Sequence, residues 1–162
     1  MSTKKIATVG MLTALYVVLS LTLKIPLGVG AIALDLGYIV LTVSAFKIGM
    51  WSAVVGGAGA AIESFMFSPY GLSYGWIVMN IIIGLICGYL FYNAKISHEY
   101  HISAVVLSVF AGITAKTIIE CSLYSIPYLV KLPKSATAFS VDTIVMLIGL
   151  IVVYRLKIGD NS

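Results

Sequence analysis

Charge is what this sequence has least of. Of 162 residues only 10% are charged, and the chain holds six acidic side chains and two histidines, whereas a soluble globular domain carries roughly a quarter charged residues. With 60% of residues hydrophobic and a mean hydropathy of +1.08, the deficit excludes a water-soluble fold and leaves an integral membrane protein. Two cysteines are too few for a disulfide scaffold. Cys87 and Cys121 fall in apolar runs at opposite predicted depths, so both read as packing residues. Basic residues exceed acidic ones to a net +4, but they stand singly at the ends of apolar runs. No basic patch forms, which excludes a nucleic-acid surface and makes the charge a topology signal.

What the chain does have is apolar runs separated by turn chemistry. They predict an all-α membrane protein with one transmembrane domain over residues 1–162 and six spans: Ile6–Leu23, Ile32–Phe46, Ile48–Phe67, Tyr74–Tyr92, Ile102–Ile126 and Ala138–Tyr154. Most approach the roughly 20 residues that a helix needs to cross the hydrocarbon core. The second is shortest and carries Asp35 near its start. The opening run has the charged head and apolar body of a signal peptide, yet it is longer than the usual signal core, so it reads as the first span. Lys24 to Gly30 and Ser68-Pro69-Tyr70-Gly71 supply helix-ending Pro and Gly; Asn93–His101 and Lys131-Leu132-Pro133-Lys134 are the later polar breaks. With the N-terminus inside, Lys4, Lys5, Lys47, Lys95, Arg155 and Lys157 fall on the inner face, against Lys24, Lys131 and Lys134 outside. The excess of basic residues predicts both termini in the cytoplasm.

Against so little charge, ionisable residues inside spans stand out. Lys116 and Glu120 sit four apart in the fifth span, which puts them on one helix face about 6 Å apart along the axis. At bilayer depth such groups face a bundle interior or a wet cavity and mark a site or a path. On the predicted topology Glu63, Glu120, Asp35 and Asp142 all fall in the outer halves of their helices, with Lys116 one turn deeper. Charges from four helices at one level predict a small-molecule pocket open to the outside. A conduction path would string them through the full thickness. Tyr38, Tyr70, Tyr74, Trp76, Asn80, Tyr124 and Tyr128 lie at the same level. The rings also fit an interfacial aromatic belt, Asn80 needs a partner in lipid, Asp35 also fits a helix cap, and Lys116 with Glu120 also fits a structural ion pair.

Several motifs mislead. Gly71-Leu72-Ser73-Tyr74-Gly75 matches a nucleophile elbow, but that motif needs a preceding strand and a histidine in reach; His98 and His101 fall on the opposite, inner side. The His98-Glu99-Tyr100-His101 cluster reads as solvated loop residues, with no metal. Ala115-Lys116-Thr117 echoes a phosphate loop without its glycines or strand. The chain therefore has no nucleotide site, no catalytic constellation and no cofactor of its own. Small residues at helical spacing are abundant: Gly49, Ala53, Gly56, Gly57, Ala60; Gly84, Gly88; Ala104, Ser108, Ala111, Gly112, Ala115. They allow close helix packing in lipid. Ala7, Gly10 and Ala14 occupy the inner half of the first helix with no buried charge nearby, so packing and an external partner both fit.

Six short spans, the opening Lys4-Lys5-Ile6-Ala7-Thr8-Val9-Gly10-Met11-Leu12-Thr13-Ala14-Leu15, the glycine-rich Gly49 to Gly59 and the Pro-Gly third loop together resemble the substrate-binding S component of energy-coupling factor (ECF) vitamin transporters. The resemblance covers nearly the whole chain. It implies a bacterial plasma-membrane protein that binds a vitamin or precursor at the outer face, joins a transmembrane coupling subunit and two ABC ATPases, and topples to release its substrate. It also implies that Gly10 and Ala14 match the small-x-x-x-small motif that meets the coupling subunit, and that the pocket is built from later helices and outer loops, where Lys116, Glu120, Glu63, Trp76 and Asn80 fall. Family members that carry cobalt or nickel use an N-terminal histidine, and Ser2 stands here instead.

Several carboxylates against one lysine argue against a multiply anionic ligand. An aminopyrimidine-like edge would pair with Glu63 or Glu120 while Tyr and Trp stack on the ring, so hydroxymethylpyrimidine, pyridoxine-like or pterin-like compounds are expected ahead of biotin or pantothenate. Two other classes compete. An autonomous proton-coupled carrier would use Glu63, Lys116 and Glu120 as a relay, and a membrane hydrolase would use Ser73.

Overall fold

The computed structural model describes residues 3–23, 25–26, 33–67, 72–93 and 98–156. The Ser68–Gly71 turn with Tyr70, the glycines of the first connection, and Lys24, Lys95 and Lys157 lie outside these residues. Among the described residues six α-helices follow one another: α1 (Thr3–Thr22), α2 (Gly37–Ile48), α3 (Ser52–Phe67), α4 (Tyr74–Asn93), α5 (His98–Tyr124) and α6 (Tyr128–Arg155). A two-residue antiparallel ladder, Ile25 opposite Leu34 and Pro26 opposite Ala33, closes the connection between α1 and α2.

Among the described residues five runs are long and apolar enough to cross a bilayer: Thr3–Thr22, Gly37–Met66, Tyr74–Tyr92, Glu99–Tyr124 and Tyr128–Arg155. The second and third expected spans fall in one of these runs as two short helices, α2 with 12 residues, about 18 Å long, and α3 with 16, which fold back on each other. Between α2 and α3 the chain passes through a 3-10 turn, Gly49–Trp51. Gly49 has φ 60° and ψ −135°, a backbone conformation that side chains with a Cβ do not adopt, so only glycine makes this break without strain.

The ends of the last two helices correct the sequence reading. The fifth helix begins at His98, not Ile102, and the sixth begins at Tyr128, ten residues before the expected Ala138. Lys131-Leu132-Pro133-Lys134 is therefore helix, not loop. Pro133 sits within α6; its missing N–H leaves only the Leu129 carbonyl without an intrahelical donor, close to the helix start where such a gap disturbs least. Ser125, with φ 53°, ends α5 in the left-handed conformation usual just past a helix C-terminus.

Lipid offers no hydrophobic drive between helices, so close packing has to hold the bundle together. α4 lies between α3 and α5, α2 packs on α6, and α1 rests on α2 and α3. A Cβ at Gly84 would come within 2.6 Å of the Ala53 backbone, and one at Gly56 within 2.9 Å of the Asn80 carbonyl oxygen. Gly88 packs directly on the Gly49 carbonyl. The α3–α4 seam is thus backbone against backbone. Leu41, Val55, Met79, Ile83, Val105, Val109 and Met146 fill the centre.

Candidate binding site

The helices alternate in direction, so the ends of α1, α3 and α5 meet the beginnings of α2, α4 and α6 at one pole. The expected site residues gather toward that pole. Glu63 (α3), Asp142 (α6), Glu120 (α5), Asn80 (α4) and Tyr38 (α2) are all buried, as is Asp35 just before α2. Tyr38 lies in the fields of Asp142, Asp35 and Glu63, Asp142 in those of Lys116 and Asp35, and Lys116 in those of Glu120 and Asp142. Charges from α3, α5, α6 and the start of α2 therefore act on one another over a short range.

Individual contacts organise the cluster. The Lys116 ammonium sits over the Trp76 ring, 5.5 Å from its centroid, a favourable placement of a cation against a π face. Glu120 interacts with Lys116 through its field, but its ion pair is made by Oε2 with Lys131 of α6. That pair ties α5 to α6 across the turn at Ser125 and removes Lys131 from the free outer-face cations counted from sequence. Gly75 makes room for Glu120, since a Cβ there would lie 2.8 Å from Glu120 Cγ. Asn80 is engaged at both ends: its Oδ1 accepts from the Tyr16 hydroxyl at 3.0 Å and its Nδ2 donates to the Trp76 carbonyl at 3.0 Å. Tyr74 and Tyr124, by contrast, are 57% and 58% exposed, where a belt residue stands.

Sequence reasoning missed Tyr16 and Ser20. Both are fully buried and bring α1 into the cluster, Tyr16 through Asn80 and Ser20 through a 2.7 Å hydrogen bond to Asp35 Oδ1. The available signal was a four-residue spacing of polar groups on one face of an otherwise apolar helix. A second feature, a mostly apolar crevice of about 430 Å³, opens between α5 and α6, with Thr117 and Ser135 bonded to each other at 2.8 Å on its wall. Of the residues expected at the level of the site, Tyr128 alone lines it; none of the ionisable ones does.

Among the described residues, the opposite pole has no buried carboxylate. His101, expected on a solvated loop, is buried inside α5 and bonds the Tyr154 hydroxyl through Nδ1 at 2.6 Å. Its ring lies 5.0 Å from Phe46 and 5.2 Å from Phe91. This clasp joins α2, α4, α5 and α6 where apolar neighbours demand that the imidazole be hydrogen-bonded. Ser73 precedes α4 and His101 lies beside Phe91 near its end, so α4 holds them roughly 25 Å apart along its axis. No serine–histidine pair forms between them. Cys87 and Cys121 are buried free thiols, and no metal-ligand cluster occurs among the described residues.

Fold and site together define a class: a small helical membrane protein with acids, lysines and aromatic rings gathered at one end and, among the described residues, no pairing of Ser73 with a histidine. The chain belongs to the family described as "ECF-type riboflavin transporter, S component", whose family model matches residues 1–158. It is thus a membrane-embedded transporter subunit of the vitamin-uptake class, and that family is not an enzyme family. Among solved structures it is similar to the S component for biotin from an ECF-type ABC transporter, with TM-score 0.74 and 18% identity over 97% of this chain and 94% of that one. It is also similar to FolT bound with folic acid, with TM-score 0.68 and 20% identity over 89% of each chain. At these identities the two structures speak for the fold alone. A search of curated protein sequences gives no significant match.

Proposed function

We propose that this chain is the substrate-binding subunit of an ECF-type importer of the bacterial plasma membrane, and that it captures riboflavin or a closely related flavin at the outer face. The family match over residues 1–158 is the observation that carries this reading. Site chemistry supports it. Riboflavin is uncharged, with a flat heterocycle and a chain of hydroxyls. Three buried carboxylates, Asp35, Glu63 and Asp142, suit O–H and N–H donors and oppose a polyanion. Trp76 and Tyr38 offer flat surfaces to the ring system, and Lys116 is placed to donate to a ring carbonyl. A flavin takes the place of the smaller heterocycles expected from sequence.

Both termini lie in the cytoplasm on this reading, with six helices traversing or entering the membrane. Lys4, Lys5, Lys47 and Arg155 then mark the inner pole, and the acid cluster faces out. Energy comes from two ABC ATPases through a transmembrane coupling subunit, which meets α1 at Ala7, Gly10 and Ala14. All three are exposed, and a Cβ at Gly10 would meet nothing within 4 Å. A proton relay through Glu63, Lys116 and Glu120 is less well supported, because Glu120 is held by Lys131 and the charges gather at one pole. Titration of the purified protein with riboflavin, followed by flavin fluorescence, tests the proposal. One-to-one binding in the sub-micromolar range is expected, with biotin and folate failing to compete. Absence of riboflavin binding, with tight binding of another vitamin, would reject it.

A further inference from the structure

Asp35 is used only in part by the fold. Its Oδ1 accepts two hydrogen bonds, from Ser20 Oγ at 2.7 Å and from the Gly37 N–H at 2.8 Å. The second is the turn-forming bond of an aspartate two residues ahead of its donor, and it starts α2. That turn accounts for one oxygen, although the N-cap position of α2 itself is Leu36. The other, Oδ2, has no hydrogen-bond partner among the described residues, in a residue only 3% exposed. A buried carboxylate oxygen left unsatisfied is strongly unfavourable, and native structures rarely tolerate one without a functional reason.

The surroundings indicate what is missing. Asp35 acts on Tyr16, Tyr38 and Asp142, and Asp142 in turn acts with Lys116, which sits over Trp76. Asp142 is thus coupled electrostatically both to Lys116, which meets the Trp76 ring, and to Asp35 at the start of α2. A ligand spanning the two would lay a ring against Trp76 and a donor-bearing chain toward Asp35.

We infer that Asp35 is a specificity-determining residue of this site, its Oδ2 accepting a hydrogen bond from a hydroxyl on the ligand's polyol chain. The inference rests on the flavin reading above and extends it to a residue of which the turn at Gly37 uses only one oxygen. A charge-assisted bond of this kind discriminates by about tenfold or more.

The test compares riboflavin with lumiflavin, which has the same ring system and a methyl group in place of the polyol. Wild-type protein is expected to bind riboflavin at least about tenfold more tightly. Asp35→Asn keeps an acceptor for Ser20 and Gly37 but loses the charge; it is expected to weaken riboflavin about tenfold and lumiflavin less than about threefold. Equal losses for both ligands, or none, would overturn the assignment of Asp35 while leaving the flavin reading intact. Equal affinity of wild-type protein for the two flavins would overturn it without recourse to any variant. Wild-type protein that binds neither flavin overturns the flavin reading and Asp35's role with it.

Discussion

Glu120 shows how far a single residue can be read from sequence. Its burial follows from its place in an apolar run, and its neighbourhood with Lys116 follows from a four-residue spacing. Its actual counter-ion does not. Lys131 lies beyond the Ser125–Pro127 turn, in a segment whose proline and two lysines read as loop, and only the early start of α6 brings it to Glu120. The pair is largely buried, with Lys131 and Glu120 side chains 16% and 10% exposed, so removing one partner strands the other. Glu120→Gln is expected to lower stability in detergent by about 2–4 kcal/mol. Combining it with Lys131→Met should recover most of that loss, because two apolar or neutral groups need no compensation. Thermal unfolding of the two single variants and the double variant measures the coupling. Strictly additive losses would show that the ion pair contributes nothing.

At the scale of elements, α4 is where sequence and structure agree best, Tyr74–Tyr92 expected and Tyr74–Asn93 found, because a clear turn precedes it and its apolar run is unbroken. α6 agrees least, since Pro133 ordinarily signals a helix boundary and here falls inside the helix. The small residues divide in a way that spacing alone could not resolve. Gly56, Gly84 and Gly88 are filled by neighbouring backbone, while Gly10 faces open space. α1 thereby has two faces: Tyr16 and Ser20 tie one side into the polar cluster, and Ala7, Gly10, Met11 and Ala14 leave the other bare. Gly10→Leu is expected to leave unfolding in detergent unchanged within about 0.5 kcal/mol while abolishing co-purification with the coupling subunit. Unchanged co-purification would remove α1 from the proposed interface; a large loss of stability would show that Gly10 packs internally.

For the whole molecule, polarity along the bundle axis is the main result. Carboxylates, Lys116 and Trp76 collect at one pole, and the other is closed by a histidine packed among Phe46, Phe91 and Tyr154. The first half of that division was legible because an ionisable residue in an apolar run is conspicuous and helix direction assigns its depth. The second was not, because His101 stands next to hydrophilic residues in the chain and only tertiary packing buries it. Alternation of helix direction turns scattered acids into one cluster, and the proposed function makes that cluster the ligand site. The most direct measurement is an experimental structure of the protein with riboflavin bound. The account predicts the ring system against Trp76 and Lys116 and the polyol directed at Asp142 and Asp35. Flavin density in the α5–α6 crevice, or at the His101 pole, would contradict it.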